Sequence, residues 1–150
     1  MEKVSRILFP VDLSDISSKM APEVITMARK FDAEIHLLFV SGSLEQYSTF
    51  YIPHPSLDKM EDDIQRGAER KLKEFKEEYF AGYGDTKARV LRGDPAEEIL
   101  KYIQTEKIDM VILPTHGRKG LDRIIFGGVA ERVVKMSPVP VLSINPHRKA

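Results

Sequence analysis

Five short apolar, β-branched runs alternate with four longer stretches of helical period, and this alternation constrains the fold more than any other feature of the chain. The runs occupy residues 4–11, 34–40, 88–91, 109–114 and 139–144. Ile7-Leu8-Phe9, His36-Leu37-Leu38-Phe39-Val40 and Met110-Val111-Ile112-Leu113 are apolar almost without a break. A strand with one wet face alternates apolar and polar residues, whereas one buried on both faces reads in this continuous way. The pattern therefore predicts an α/β fold in which a doubly wound, five-stranded parallel sheet carries helices on both faces. Crossovers should be right-handed. A length of 150 residues suits one domain over residues 1–150.

The first helical stretch covers residues 17–31, with Met20, Ala21, Val24, Ala28 and Phe31 on one stripe. Pro22 is expected in its first turns, where a missing N–H costs little. The second covers residues 56–79, with Met60, Ile64, Ala68, Leu72, Phe75 and Tyr79 three or four apart and mixed charges on the other face. The third opens with Asp94-Pro95-Ala96-Glu97, an N-cap aspartate followed by proline at N1 and glutamate at N3. The fourth covers residues 128–136 and stops before Ser137-Pro138. The one long connection, residues 41–55, holds Tyr47, Phe50, Tyr51 and His54 and is too apolar for a linker. It reads as a flap packed on the domain or on a partner, or as a lid over a site.

Composition removes whole classes of function. Lys plus Arg and Asp plus Glu are both 23, and this balance argues against a nucleic-acid protein. There is no cysteine, which excludes disulfides and thiolate chemistry. The four histidines, at 36, 54, 116 and 147, include no pair at i, i+4, so no local metal site is expected. No run approaches the ~18 apolar residues of a membrane span. The first residues run straight into a strand-like segment, so a chain without signal peptide, resident in the cytoplasm, is expected.

Ligands of doubly wound sheets bind at the carboxyl ends of strands, where the strand order reverses. Two segments fall there. Pro10-Val11-Asp12-Leu13-Ser14 ends the first strand; Asp12 either accepts from a ribose hydroxyl or helps to hold a metal, or else Asp12 and Ser14 cap the first helix. Pro114-Thr115-His116-Gly117-Arg118-Lys119-Gly120 follows the fourth strand, and Gly127-Gly128 opens the next helix. Free amides at a helix start attract anions, glycine admits a close approach, and Arg118 and Lys119 add positive charge. The same glycines would also serve tight turns. There is no P-loop and no dinucleotide fingerprint. His116 reads first as packing in its loop, with phosphate contact or acid–base work as the alternative, and His36 as a satisfied core residue or a partly exposed one. Glu61-Asp62-Asp63 and Glu77-Glu78 read as solvated.

The stretch from Thr115 to Gly120, then Gly127-Gly128-Val129-Ala130-Glu131-Arg132-Val133-Val134, with the ending Ser137-Pro138-Val139-Pro140-Val141-Leu142-Ser143-Ile144, resembles the C-terminal signature of the universal stress protein family. Ile7-Leu8-Phe9-Pro10-Val11-Asp12-Leu13-Ser14 is similar to the family's opening strand, and Gly93-Asp94-Pro95 before an amphipathic helix is also family-like. The resemblance implies the strand order 3-2-1-4-5 of an adenine nucleotide alpha hydrolase-like fold. It implies a homodimer through the last strand, residues 139–144, whose apolar edge invites a second copy. It also implies a nucleotide site. Pro10, Val11 and Asp12 lie near the ribose, Val40 lines the adenine pocket, and Gly117, Arg118, Gly127 and Gly128 meet the phosphates of ATP or AMP, with Mg²⁺ accompanying them. Pro114 stands where the family's nucleotide-binding branch has its first glycine, and Gly128 where it has Ser or Thr. The implied function is a small dimeric stress-response protein that binds an adenine nucleotide and is not an enzyme, or at most a slow nucleotide hydrolase using Asp12 and His116. The alternative is a dimerisation or interaction module of the same fold that binds no nucleotide.

Overall fold

The computed structural model describes residues 3–42, 54–115 and 128–147, the first four residues of the second helix by their backbone alone. In chain order the elements are β1 (Arg6–Pro10), α1 (Asp15–Phe31), β2 (Glu34–Ser41), α2 (His54–Tyr79), β3 (Thr86–Arg92), α3 (Pro95–Thr105), β4 (Met110–Pro114), α4 (Gly128–Met136) and β5 (Val141–Ile144). All the strand pairs are parallel and the order is β3-β2-β1-β4-β5, as the resemblance implied. The period of two then sorts the core into two layers. Ile7, Phe9, Ile35, Leu37 and Ile112 pack with Met20 and Val24 of α1 and Leu72 and Phe75 of α2. Leu8, Leu38, Val111 and Leu113 pack on the other face with Ile99, Tyr102 and Ile103 of α3 and Val133 of α4.

Helix α1 starts two residues earlier than its apolar stripe suggests, because the Ser14 hydroxyl accepts from the Ile16 amide at 3.3 Å and caps it. Pro22 is therefore the eighth helical residue and does not belong to the first turns. The helix runs on through it because Pro22 lies on the exposed side, where water can take up the carbonyl it leaves unbonded. Strand β3 begins at Thr86, two residues before the run that marks it in the sequence. Strand β5 is shorter than residues 139–144. Pro140 has no N–H and contributes only its carbonyl, to the Val111 amide at 3.0 Å, while the Val139 amide turns back to the Ser137 hydroxyl.

Helix α2 departs most from its pattern. Ala68, Leu72 and Phe75 are buried, but Met60 and Ile64 on the same stripe are 47% and 45% exposed. Its 26 residues rise about 39 Å, whereas the seven of β3 span about 23 Å. The helix starts at the carboxyl edge and is too long for the sheet, so its first turns stand beyond the layer that would cover them. Arg92, at the end of β3, marks the level, with its guanidinium on Glu61 at 3.3 Å and Asp62 at 3.1 Å. Those two carboxylates are thus paired rather than merely solvated.

The turn from β3 to α3 depends on Gly93. Its φ of +139° lies where a side chain is strained, and an added Cβ would sit 2.9 Å from the Glu98 carboxylate. Gly93→Ala is expected to destabilise the protein by about 1–3 kcal/mol, read as a lower urea midpoint at an unchanged slope.

Candidate functional site

Strand β1 pairs with β2 over five rungs but with β4 over only two, Ile7 with Met110 and Leu8 with Val111. Continuing that register would set Pro10 opposite Leu113 and Val11 opposite Pro114. Neither proline has an N–H to donate, so the β1–β4 ladder stops and the strands are free to part. The Val11 amide still reaches the Leu38 carbonyl at 2.9 Å, which keeps the end of β1 on the β2 side. The parting lies where strand order reverses, the place at which doubly wound sheets bind ligands.

Asp12 follows the end of β1, beside this break in the ladder. Leu13 follows with φ +61°, a left-handed conformation that costs a leucine roughly 1 kcal/mol, while its side chain packs on the α1–α2 core. That turn brings three donors to one oxygen. Asp12 Oδ1 accepts from the Ser14 amide at 2.9 Å, from the Ser14 hydroxyl and from the Ser17 hydroxyl at 2.8 Å. The Ser17 hydroxyl in turn accepts from the Asp12 amide at 3.1 Å. The alternatives left open by the sequence divide between the two residues. Ser14 caps α1; Asp12 does not cap, but is held by the turn through Oδ1, and no group among the described residues bonds Oδ2. A carboxylate fixed by one oxygen and open at the other suits a pair of neutral donors such as sugar hydroxyls.

Val40, half-buried near the end of β2, lies in register with Leu91 and packs on the α3–α4 side of the sheet. The next residue, Ser41, accepts from the Gly93 amide at 3.0 Å through its carbonyl. Gly128 opens α4, is exposed, and would meet nothing within 4 Å if it carried a Cβ. Pro114 ends β4, and the Thr115 amide beyond it donates to the Ile144 carbonyl at 2.8 Å. Parallel topology thus brings Pro10, Val11, Asp12, Val40 and Gly128 to one edge of the sheet, each at a strand's carboxyl end or a helix start. Gly117, Arg118 and Gly127 lie outside the described residues, as do His116, Lys119 and the aromatic residues Tyr47, Phe50 and Tyr51.

Two participants escaped the reading of the sequence. One is Ser17, whose spacing of five from Asp12 carries no motif. The other is Arg132, whose Nη1 lies 3.1 Å from Asp94 Oδ2 at the start of α3. His36 sits at the opposite, amino-terminal end of the sheet and takes no part. Among the described residues no three His, Asp or Glu side chains converge as a metal site, and no helix is long and apolar enough to cross a membrane.

Residues 3–145 match the family model described as "Universal stress protein family". Universal stress protein MJ0531 of Methanocaldococcus jannaschii is 32% identical over 155 aligned positions, covering 96% of this chain and 84% of that relative. The solved structure of MJ0577 superposes with a TM-score of 0.81 at 28% identity, over 98% of both chains. The universal stress protein from Archaeoglobus fulgidus in complex with dAMP shares the fold at 19% identity, with a TM-score of 0.65 over 94% of this chain and 98% of its own. The sheet order and these matches across the whole chain agree: it belongs to the universal stress protein family.

Proposed function

We propose that this chain binds an adenine nucleotide, ATP or AMP, in the crevice between the carboxyl ends of β1 and β4. In this reading it is a small cytoplasmic stress-response protein that signals through a homodimer and turns over no substrate. The observation that carries the reading is Asp12, fixed through Oδ1 with Oδ2 open at the mouth of the parted strands. The dAMP held by the A. fulgidus neighbour supports it. Val40 would flank the base and Asp12 the ribose. The amides at the start of α4, with Gly117, Arg118 and Gly127, would meet the phosphates, and Mg²⁺ would arrive with a polyphosphate rather than at a preformed metal site. Calorimetric titration with ATP, ADP and AMP in Mg²⁺ tests this. Saturable heat is expected, and no heat together with no thermal shift at millimolar nucleotide would reject the reading.

Gly128 sharpens the test. A Cβ there meets nothing, so Gly128→Ser adds a hydroxyl without a clash. A hydroxyl bond to a charged phosphate is worth about 1.5–3 kcal/mol, so the variant is expected to bind AMP about tenfold to a hundredfold more tightly. A hydrolase role would rest on His116 and Asp12, and phosphate release that persists at the wild-type rate in His116→Ala would reject His116 as the base.

The second reading, an interaction module without nucleotide, is favoured by Pro114 and Gly128 in the places of Gly and Ser/Thr. Binding that appears only in Gly128→Ser would select it. Both readings share the dimer. Strand β5 is a sheet edge, and Val129, Val134 and Met136 of the adjoining α4 are 39%, 43% and 63% exposed. A dimeric mass in light scattering at micromolar protein is expected; a monomeric mass would defeat it.

A further inference from the structure

A line of contacts runs along the carboxyl edge from the adenine side of the proposed site to its phosphate side. It starts at Val40, whose neighbour Ser41 takes the Gly93 amide on its carbonyl at 3.0 Å. Gly93 reaches that carbonyl through its φ of +139°, and the next residue is Asp94. Asp94 Oδ2 accepts from the Glu97 amide at 3.0 Å, which caps α3, and from Arg132 Nη1 at 3.1 Å. Arg132 is four residues into α4 from Gly128, hence on the same helix face one turn below it. Side chains of a helix lean toward its amino end, so the guanidinium is directed back toward the opening turn of α4.

Both α3 and α4 begin at the carboxyl edge on the same face of the sheet. Their joint hydrophobic contact sits lower, around Ile99, Ile103 and Val133. Among the described residues, the Asp94–Arg132 pair ties their opening turns together. Both partners are nearly half-exposed, at 46% and 47%, so the pair adds little to global stability. Its consequence is local: it sets where the first amides of α4 point.

We infer that Asp94 and Arg132 are positioning residues, a brace that holds the amino-terminal turn of α4 against the turn anchored beside Val40, so that Gly128 presents its amide to the ligand's phosphate. The inference rests on the nucleotide reading given above.

The test uses the full chain and the variants Asp94→Asn, Arg132→Met and the double variant. Asparagine still caps a helix, so Asp94→Asn loses the ion pair and keeps α3. Calorimetry reads AMP and adenosine, and hydrogen exchange reads the amides of residues 132–134 in the free protein. With a brace, each single variant binds AMP about twofold to fivefold more weakly. The double variant is no weaker than the worse single one, adenosine affinity is unchanged, and the amides exchange several times faster. A plain charge effect on the phosphate predicts opposite signs, tighter binding for Asp94→Asn and weaker for Arg132→Met, and that result would overturn the brace, as would unchanged exchange. If the wild type binds neither ligand while exchange responds in all three variants, the nucleotide reading fails and the brace stands.

Discussion

Asp12→Ala is expected to weaken the binding of both AMP and adenosine by about tenfold to a hundredfold, the effect of deleting a charged hydrogen-bond acceptor. The loss has two sources. Oδ2 is the oxygen that no group among the described residues bonds, and Oδ1 is the point on which the Ser14 amide and the Ser14 and Ser17 hydroxyls converge. Ser17 is buried, so its hydroxyl loses an acceptor where water does not readily replace it, and the alanine variant should also lose about 1–2 kcal/mol of stability. Asp12→Asn separates the two sources. An amide oxygen can keep the place of Oδ1 and hold the turn, while an NH₂ group stands where Oδ2 was and faces the ligand's donors with another donor. Stability should then recover while binding does not, as measured by urea unfolding and calorimetry on the same samples. Asp12→Asn that binds both ligands like the wild type would show that Oδ2 touches neither. The loss for adenosine also distinguishes Asp12 from the Asp94–Arg132 pair, whose removal is expected to spare it.

The second large effect is on stability and lies at the other end of the sheet. His36 is buried between Glu34 on its own strand and Tyr102 on α3, with Nδ1 2.6 Å from the Tyr102 hydroxyl and Nε2 against Glu34 Oε1. Nε2–H donates to the carboxylate, and a hydrogen bond joins Nδ1 to the tyrosine hydroxyl. Tyr102→Phe strands Nδ1 in the α3 layer and is expected to cost about 1–3 kcal/mol.

The same cluster sets a dependence on pH at both ends of the scale. Burial, with the Glu106 carboxylate adding to it, pushes the Tyr102 hydroxyl from its ordinary 10.0 up to about 12. Below pH 10 the folded and unfolded chains both keep this proton. Above it the unfolded chain ionises first, so about 2–3 kcal/mol of stability drains away as the pH rises from 10 to 12. Tyr83, also raised by burial, contributes in the same direction. Tyr102→Phe should therefore start less stable at neutral pH and fall less steeply in alkali, a crossing of slopes that urea midpoints at pH 8 to 11.5 would show. Parallel slopes would disprove it. For Glu34, burial works to raise the carboxyl, but the hydrogen bonds and charges of His36 and Lys87 outweigh it and hold the group below its usual 4.5. Its contribution is present above that value and is lost as acid carries the pH down through the folded-state value, and Glu34→Gln should flatten the acid limb.

His36 and α2 show what a sequence can and cannot display. The continuous run around His36 left it either a satisfied core residue or a partly exposed one, and the structure buries it. It could not show the partner, since Tyr102 is 66 residues away and meets it only because α3 crosses β2 at that level. In α2 the stripe from Met60 to Tyr79 was legible and its period correct, yet Met60 and Ile64 are exposed, because periodicity says which face is apolar and nothing about how far the covering layer extends. Pro22 erred for a related reason: the apolar stripe of α1 suggests a start at Ser17, but the Ser14 cap starts the helix at Asp15, two residues earlier.

By itself the sequence determined the succession of elements, the parallel sheet, and the edge where Asp12 and Gly128 gather, because hydrophobic period and cap chemistry are local; Val40 joined them through the family resemblance. Only the tertiary structure decided that the β1–β4 ladder ends after two rungs, that no group among the described residues bonds Asp12 Oδ2, and that Arg132 finds Asp94 from 38 residues away. Those outcomes depend on strand register and on where one helix lies against another. Both are set by packing between segments far apart in the chain, and no local pattern encodes them.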